Sequence, residues 1–132
     1  VTVIVIAGGG FAGTSVARQL ERRLRPDEAE IVLLSRENYT LFTPMLPEVT
    51  SGELEVRHVV TPIRTQVRRT RFVLADVDEI DIPNRRLTYH HVLTQRSVVQ
   101  PYDHVVFALG SSTSDFGLPG VAEHTWSLKT LD

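Results

Sequence analysis

Gly8, Gly10 and Gly13 stand at the spacing Gly-x-Gly-x-x-Gly, directly after the apolar run Val3 to Ala7 and directly before apolar residues at helical spacing, Val16, Leu20 and Leu24. Strand, tight turn and helix in that order make a cradle for a pyrophosphate. Gly8 serves the turn, Gly10 lets the backbone approach the phosphates, and Gly13 lets the helix pack close to the strand. The helix start adds unpaired N–H groups and a partial positive charge. The chemistry expected here is dinucleotide binding.

Which dinucleotide depends on the next strand. The apolar run Ile31 to Leu34 ends in Ser35-Arg36, where, about 20 residues past the third glycine, an NAD or FAD site usually places Asp or Glu on the ribose hydroxyls. Serine can hydrogen-bond a hydroxyl, but arginine beside a missing acid is also how a site takes a 2′-phosphate. On these two residues alone, NADP leads. A second buried strand, His104 to Ala108, runs into Leu109-Gly110, and α/β ligands lie at the carboxyl ends of the strands. Two glycine-terminated strands are therefore expected to converge on one crevice.

The elements that position these residues read as α/β: a Rossmann-like parallel sheet of order 3-2-1-4 with an inserted antiparallel β-meander. The first helix should run from about Gly10 to Leu24 and stop before Pro26, with Arg22, Arg23 and Arg25 where cations suit the macrodipole. Asn38 to Pro47 is an apolar loop with two prolines, longer than the usual connection of about 2 to 6 residues, so it must pack on something. Phe42 and Leu46 either fill the core or help wall a flat cofactor. Val56 to Val67 is expected to be a short helix with an internal start at Thr61-Pro62. From Arg71 the period becomes two: a third strand over Arg71 to Ala75, then Val77, Ile80 and Ile82 leading to a turn at Pro83-Asn84, a return through Leu87 and Tyr89, and a last run at Val98-Val99. His90 and His91 are adjacent on a strand, point to opposite faces and so do not share a metal ion; no metal site is read. Gly117, Pro119 and Gly120 make a loop, and Trp126 to Asp132 reads as the start of a further element.

Composition sets the outer limits. With 132 residues, 42% hydrophobic and 23% charged, the chain is one globular domain's worth. It contains no apolar run near the roughly 18 residues a membrane span needs. It opens at Val1 on a strand and not on a signal peptide, and is expected to be part of a longer protein. The absence of cysteine excludes disulfides, thiolate metal sites and a redox-active cysteine pair. A net charge of -2 exerts no overall pull on nucleic acid, although 13 of the 14 basic residues are arginine. Arg64, Arg68, Arg69 and Arg71 are read as a solvated face ahead of a patch for anionic lipid or nucleic acid.

Four ordered motifs then carry a resemblance: Gly8 to Gly13 (GGGFAG), Leu34 to Pro47 (LSRENYTLFTPMLP), Val105 to Ser111 (VVFALGS) and Gly117 to His124 (GLPGVAEH). The chain resembles the N-terminal FAD-binding part of type II NADH dehydrogenases. More broadly it is similar to the two-dinucleotide-domain flavoproteins that include the pyridine nucleotide-disulfide reductases. The resemblance implies non-covalent FAD, with Gly8, Gly10, Phe11, Ala12 and Gly13 at the pyrophosphate and Ser35 and Arg36 at the adenosine ribose. It implies Thr43, Pro44 and Leu46 beside the isoalloxazine, the backbone of Val77 at adenine, and Ala108, Leu109 and Gly110 as the second, weaker glycine motif. Ser35 stands where many relatives carry an acid, and Glu37 lies two residues on.

The same resemblance makes residues 1–132 a partial FAD-binding domain. The family's NADH domain, its returning Gly-Asp strand and its membrane-surface, quinone-binding segment have no counterpart among these residues. The whole protein is expected to pass a hydride from NAD(P)H to FAD and electrons to a quinone-like acceptor, in the cytoplasm and peripheral on a membrane surface. The 132 residues alone are expected to turn over little, to hold FAD weakly and to pair as a homodimer through the exposed edge of the His104 strand. Two other readings remain: an NADP-binding Rossmann module, and an interaction domain without catalysis.

Overall fold

The computed structural model describes residues 1–131; Asp132, the last position of the element expected from Trp126 onward, lies outside the described residues. In chain order the strands are β1 (Thr2–Ala7), β2 (Ala29–Ser35), β3 (Tyr39–Leu41), β4 (Val60–Pro62), β5 (Arg71–Asp81), β6 (Arg86–His91), β7 (Ser97–Pro101) and β8 (His104–Phe107). The α-helices are α1 (Phe11–Arg23), α2 (Leu46–Thr50), α3 (Ile63–Gln66) and α4 (Val121–His124). One sheet has the order β7-β6-β5-β2-β1-β8, and β3 and β4 form a separate two-stranded ribbon. Within the large sheet β5, β2, β1 and β8 are parallel neighbours, which is the expected 3-2-1-4 order, and β6 and β7 extend it antiparallel.

Alternation along β1 and β2 assigns the two faces. Val5, Ala7, Val32 and Leu34 belong to one core cluster, and Ile6, Ile31 and Leu33 to the other. Strands buried on both faces need a layer on each side. On the second face the layer is α1 and α3, through Ala17, Ile63 and Val67. On the first it is the meander, through Leu87, Tyr89 and Tyr102. The meander thus does the work that a helix does in a simple βαβ repeat.

The meander grows out of a single strand, where the sequence reading placed two. β5 is 11 residues long; its first half pairs with β2 and its second with β6. A bulge between Val77 and Glu79 shifts the register, so the inward series Val73, Ala75, Val77 resumes at Ile80. That one-residue shift is the phase break the sequence reading took for a strand boundary. The turn expected at Pro83-Asn84 is present, with Asn84 donating from both its backbone and side chain to the Asp81 carboxylate. His90 bonds Asp78 at 2.7 Å, whereas His91 packs edge-on against Tyr89, so the two rings do face opposite ways.

Residues 38–67 depart further from expectation. The helix expected over Val56 to Val67 is instead a 3-10 turn at Val56–His58, then β4, then the single turn α3. Pro62 caps α3 and does not sit inside a longer helix, because β4 pairs with β3 up to that residue. The loop before it also gains structure: a 3-10 turn at Thr43–Met45 followed by α2.

The arginine cluster is not one solvated face. Arg64 lies over the Phe72 ring, and Arg71 bonds Glu30 and Gln100. The Arg69 guanidinium reaches the carbonyls of Leu20, Glu21 and Leu24 at the end of α1, where a cation complements the dipole. Glu21 answers from the other side: its carboxylate accepts from the backbone N–H groups of Arg68, Arg69 and Thr70 and from the Thr70 hydroxyl. Burial alone would raise the Glu21 pKa. The hydrogen bonds from Thr70, Arg69 and Arg68 outweigh it and hold the carboxyl below its ordinary value.

Candidate dinucleotide site

The apolar run of β1 stops where Gly8 turns the chain with φ of +113°, a conformation that L side chains avoid. Space enforces the choice as well, since a Cβ on Gly8 would collide with the Ala108 carbonyl. The two glycine-terminated strands are in contact at this point, and Ala108 N–H donates to the Ala7 carbonyl at 2.8 Å. At the other end of β8, Asp103 holds the register: its carboxylate accepts from Val3 N–H and its own N–H donates to the Val3 carbonyl.

Gly13 sits buried in the first turn of α1, where a Cβ would land on the Gly8 carbonyl and come within 3.3 Å of Ile6. Close helix-strand approach is therefore its reason for being glycine. Gly10 is the cap of α1, with no side-chain capping bond, no acid in the first turn and nothing within 4 Å of an added Cβ. It faces open space, as a backbone that must approach a ligand should. The sequence reading passed over Gly9, which is packed against Ser35 and Ile63 and leaves no room for a side chain.

A groove of about 400 Å³ opens at the carboxyl ends of the four parallel strands. Its walls gather Gly8, Gly10, Ser35, Arg36, Val77, Ala108, Leu109 and Gly110 from the expected set. They add the strand residues Leu34 and Ala75 together with Gly9, Glu37 and Asp76, and of the last three only Glu37 had drawn notice. Asp76 lies one residue before Val77 on β5, and its carboxylate stands 3.9 Å from the Arg36 guanidinium. Only the crossover from β2 to the parallel strand β5 brings them together, so no local spacing in the sequence announces the pair.

Six expected residues are outside this lining. Gly13 and Ala12 lie within the first turn of α1, behind Gly10. The Phe11 ring turns away and packs edge-on against Phe42 at 5.9 Å. Leu46 is buried, while Thr43 and Pro44 are exposed on the 3-10 turn. Of the two readings for the apolar loop, core filling holds for Leu46 and fails for Phe42, which is 48% exposed.

The residues fit an ADP-containing cofactor by their donor set. Unpaired N–H groups at the start of a 13-residue helix suit a pyrophosphate, and hydroxyl and carboxylate groups at Ser35, Glu37 and Asp76 suit ribose hydroxyls. Charge favours a ribose without a 2′-phosphate. The lining at that end holds one guanidinium, Arg36, beside the Asp76 carboxylate, and a second carboxylate, Glu37, so an added phosphate would meet a net negative wall.

Comparison with known proteins agrees with this geometry. Residues 2–132 match the family described as pyridine nucleotide-disulphide oxidoreductase. The chain is 30% identical, over 97% of its length, to the external alternative NADH-ubiquinone oxidoreductase of Yarrowia lipolytica mitochondria, and covers 23% of that protein. To the type II NADH:quinone oxidoreductase of Staphylococcus haemolyticus it is 25% identical over 98% of its length, covering 31%. Among solved structures, the sulfide:quinone oxidoreductase of Aquifex aeolicus aligns with a TM-score of 0.80 at 27% identity, over 98% of this chain and 29% of that one. NDH2 from Plasmodium falciparum in complex with NADH shares the fold, with a TM-score of 0.81 at 24% identity over 92% of this chain and 25% of that one. The chain spans 23% to 31% of the length of these curated relatives, and it belongs to the pyridine nucleotide-disulphide oxidoreductase family.

Proposed function

We propose that these residues form the ADP-binding half of an FAD site in a flavin-dependent NAD(P)H dehydrogenase that delivers electrons to a quinone-like acceptor. The observation that carries the reading is the groove joining Gly8 to Gly10, Ser35 to Glu37, Ala75 to Val77 and Ala108 to Gly110 at four adjacent strand ends. The relatives named for NADH and ubiquinone support the electron donor and the acceptor class.

Each group has a defined task. The first N–H groups of α1, over Phe11, Ala12 and Gly13, donate to the pyrophosphate, and Gly10 keeps the approach clear. Ser35, Glu37 and Asp76 accept from or donate to the adenosine ribose, with Arg36 held in place by Asp76. Val77 offers its backbone to adenine, and Ala108 to Gly110 form the opposite lip. Thr43, Pro44 and Leu46 are assigned to the flavin end of the site. A bound flavin supplies the chemistry, accepting a hydride and passing electrons on, while the chain supplies binding and orientation. Among the described residues no helix is long and apolar enough to cross a membrane. The 132 residues hold one glycine-rich dinucleotide turn, and by themselves they are assigned little NADH:quinone turnover. β8 pairs only with β1 among the described strands, and its free edge is assigned to a second copy of the chain.

The competing NADP reading rests on Ser35-Arg36 and is separated by thermal denaturation. A ligand at a hundredfold its Kd raises stability by about 2.7 kcal/mol, or roughly 10 °C for a domain of this size. FAD is expected to give the larger rise and NADPH little. Removing both carboxylates in a Glu37→Gln, Asp76→Ala double variant should bring NADPH up toward FAD. A wild-type chain stabilised more by NADPH than by FAD would refute the assignment.

A further inference from the structure

A second recess lies along the outer face of α1, away from the dinucleotide groove. Phe11, Ser15, Arg18 and Arg22 follow one another at helical spacing on that face. Opposite them run the β4 segment and the chain into β5. Two hollows of about 600 and about 620 Å³ share Arg18, Thr61 and Gln66 and so form one continuous trough.

The two ends of the trough differ in chemistry. At one end Arg18, Arg22 and Arg68 line the wall, and among the described residues none of their guanidinium groups has a carboxylate partner within ion-pair distance. The one acid beside them, Glu21, is already committed to four donors from Arg68, Arg69 and Thr70, and the Arg69 guanidinium to the carbonyls of α1. Three exposed arginines therefore line the recess beside a single carboxylate, Glu21, whose oxygens already accept from backbone donors, with the Thr65 hydroxyl next to them. Arginine's planar fork is suited to phosphate oxygens. At the other end the rings of Phe11 and Phe42, 55% and 48% exposed, meet edge-on above Val59. Phe11 and Arg18 are seven residues apart on the helix, a rise of roughly 10 Å.

We propose that this trough binds a phosphate monoester carrying an apolar body, the phosphate held by Arg18, Arg22 and Arg68 and the body laid against Phe11 and Phe42. A soluble organic phosphate and the headgroup and first carbons of an anionic phospholipid share this chemistry. The site shares only Phe11 with the dinucleotide site, through its ring here and its backbone N–H there, and stands whether or not the flavin reading holds.

The test is an NMR titration of the 132-residue chain, following the arginine Nε–Hε signals and the Phe ring signals, with methyl phosphate and hexyl phosphate as probes. Hexyl phosphate should shift Arg18, Arg22 and Arg68 together with Phe11 and Phe42. Methyl phosphate should shift the arginines alone and bind about tenfold more weakly, since the apolar body is lost. Arg96, on the meander far along the chain, reports nonspecific charge effects and should stay still. An Arg18→Gln, Arg22→Gln variant should weaken hexyl phosphate by about tenfold or more, read at the remaining Arg68 and Phe signals. Vesicles of phosphatidylcholine with phosphatidic acid then separate the sources: co-sedimentation lost in that variant identifies a lipid headgroup, and binding of hexyl phosphate without co-sedimentation identifies a soluble phosphate. Equal affinity for the two probes, or shifts at Arg96 equal to those at Arg18, would overturn the proposal.

Discussion

Replacing Gly13 by valine is expected to cost about 3 kcal/mol or more and to remove dinucleotide binding with it. The added Cβ falls on the Gly8 carbonyl, a backbone atom fixed by the Gly8 N–H bond to Leu34 and by the pairing of β1 with both neighbours. Neither side has a flexible atom to yield, so α1 must lift from β1. Lifting α1 uncovers Ala17 against Ile6 and Leu33 and moves the helix start away from the phosphate position. Chemical denaturation should show the lower midpoint with an unchanged m-value if the native state stays compact. A variant as stable as the wild type would mean that α1 does not pack as described.

The second large effect is expected at Glu21. Its carboxylate ties α1 to the chain entering β5 through four donors contributed from 47 to 49 residues away. Glu21→Ala leaves three backbone N–H groups without that acceptor and should cost about 3 kcal/mol; Glu21→Gln keeps a neutral acceptor and should cost about half as much. The pH dependence has a definite sign. The folded-state pKa lies below the ordinary 4.5, so the stabilisation is fully present above that value and is lost as pH falls through the folded-state pKa. Urea denaturation of wild type and Glu21→Gln between neutral pH and pH 3 should therefore show the stability gap narrowing on the acid side. A gap that stays constant would separate Glu21 from the titration.

These two positions also mark what can be read from one sequence. Gly13 was legible because its job is local: the residues it spaces lie within one strand, one turn and one helix. The same holds for the sheet order, since uninterrupted apolar runs at β1 and β2 require a parallel sheet covered on both faces, whereas β8, also read as buried, is an edge strand with Phe107 57% exposed. Glu21 was not legible, because its partners are set by how the chain returns after the β3–β4 ribbon. That ribbon was missed for a related reason. Strands of three residues carry too little alternation to be told from a loop or a helix start, and Thr61-Pro62 suited both.

Within the groove the division is similar. The glycines and the Ala108 to Gly110 lip were visible as motifs, and Ser35-Arg36 was visible as a departure from an acid. Ser35-Arg36 taken alone leaned toward NADP because Arg36 had no partner in view, and only the motifs elsewhere in the chain turned the expectation to FAD. Asp76, brought beside it by β5, changes the charge at that end and supports the FAD reading proposed above.

The central claim is that the groove at the four strand ends binds FAD through the start of α1, and Gly10 gives its most direct test. A Cβ there meets no atom within 4 Å, and an aspartate suits the helix cap, so the substitution should leave stability unchanged or raise it by a few tenths of a kcal/mol. The same carboxylate would occupy the position assigned to the pyrophosphate. Fluorescence titration with FAD, run beside thermal denaturation of wild type and Gly10→Asp, should show 1:1 binding to the wild type and at least hundredfold weaker binding to a variant that melts no lower. Undiminished FAD binding by the folded Gly10→Asp variant would contradict the account.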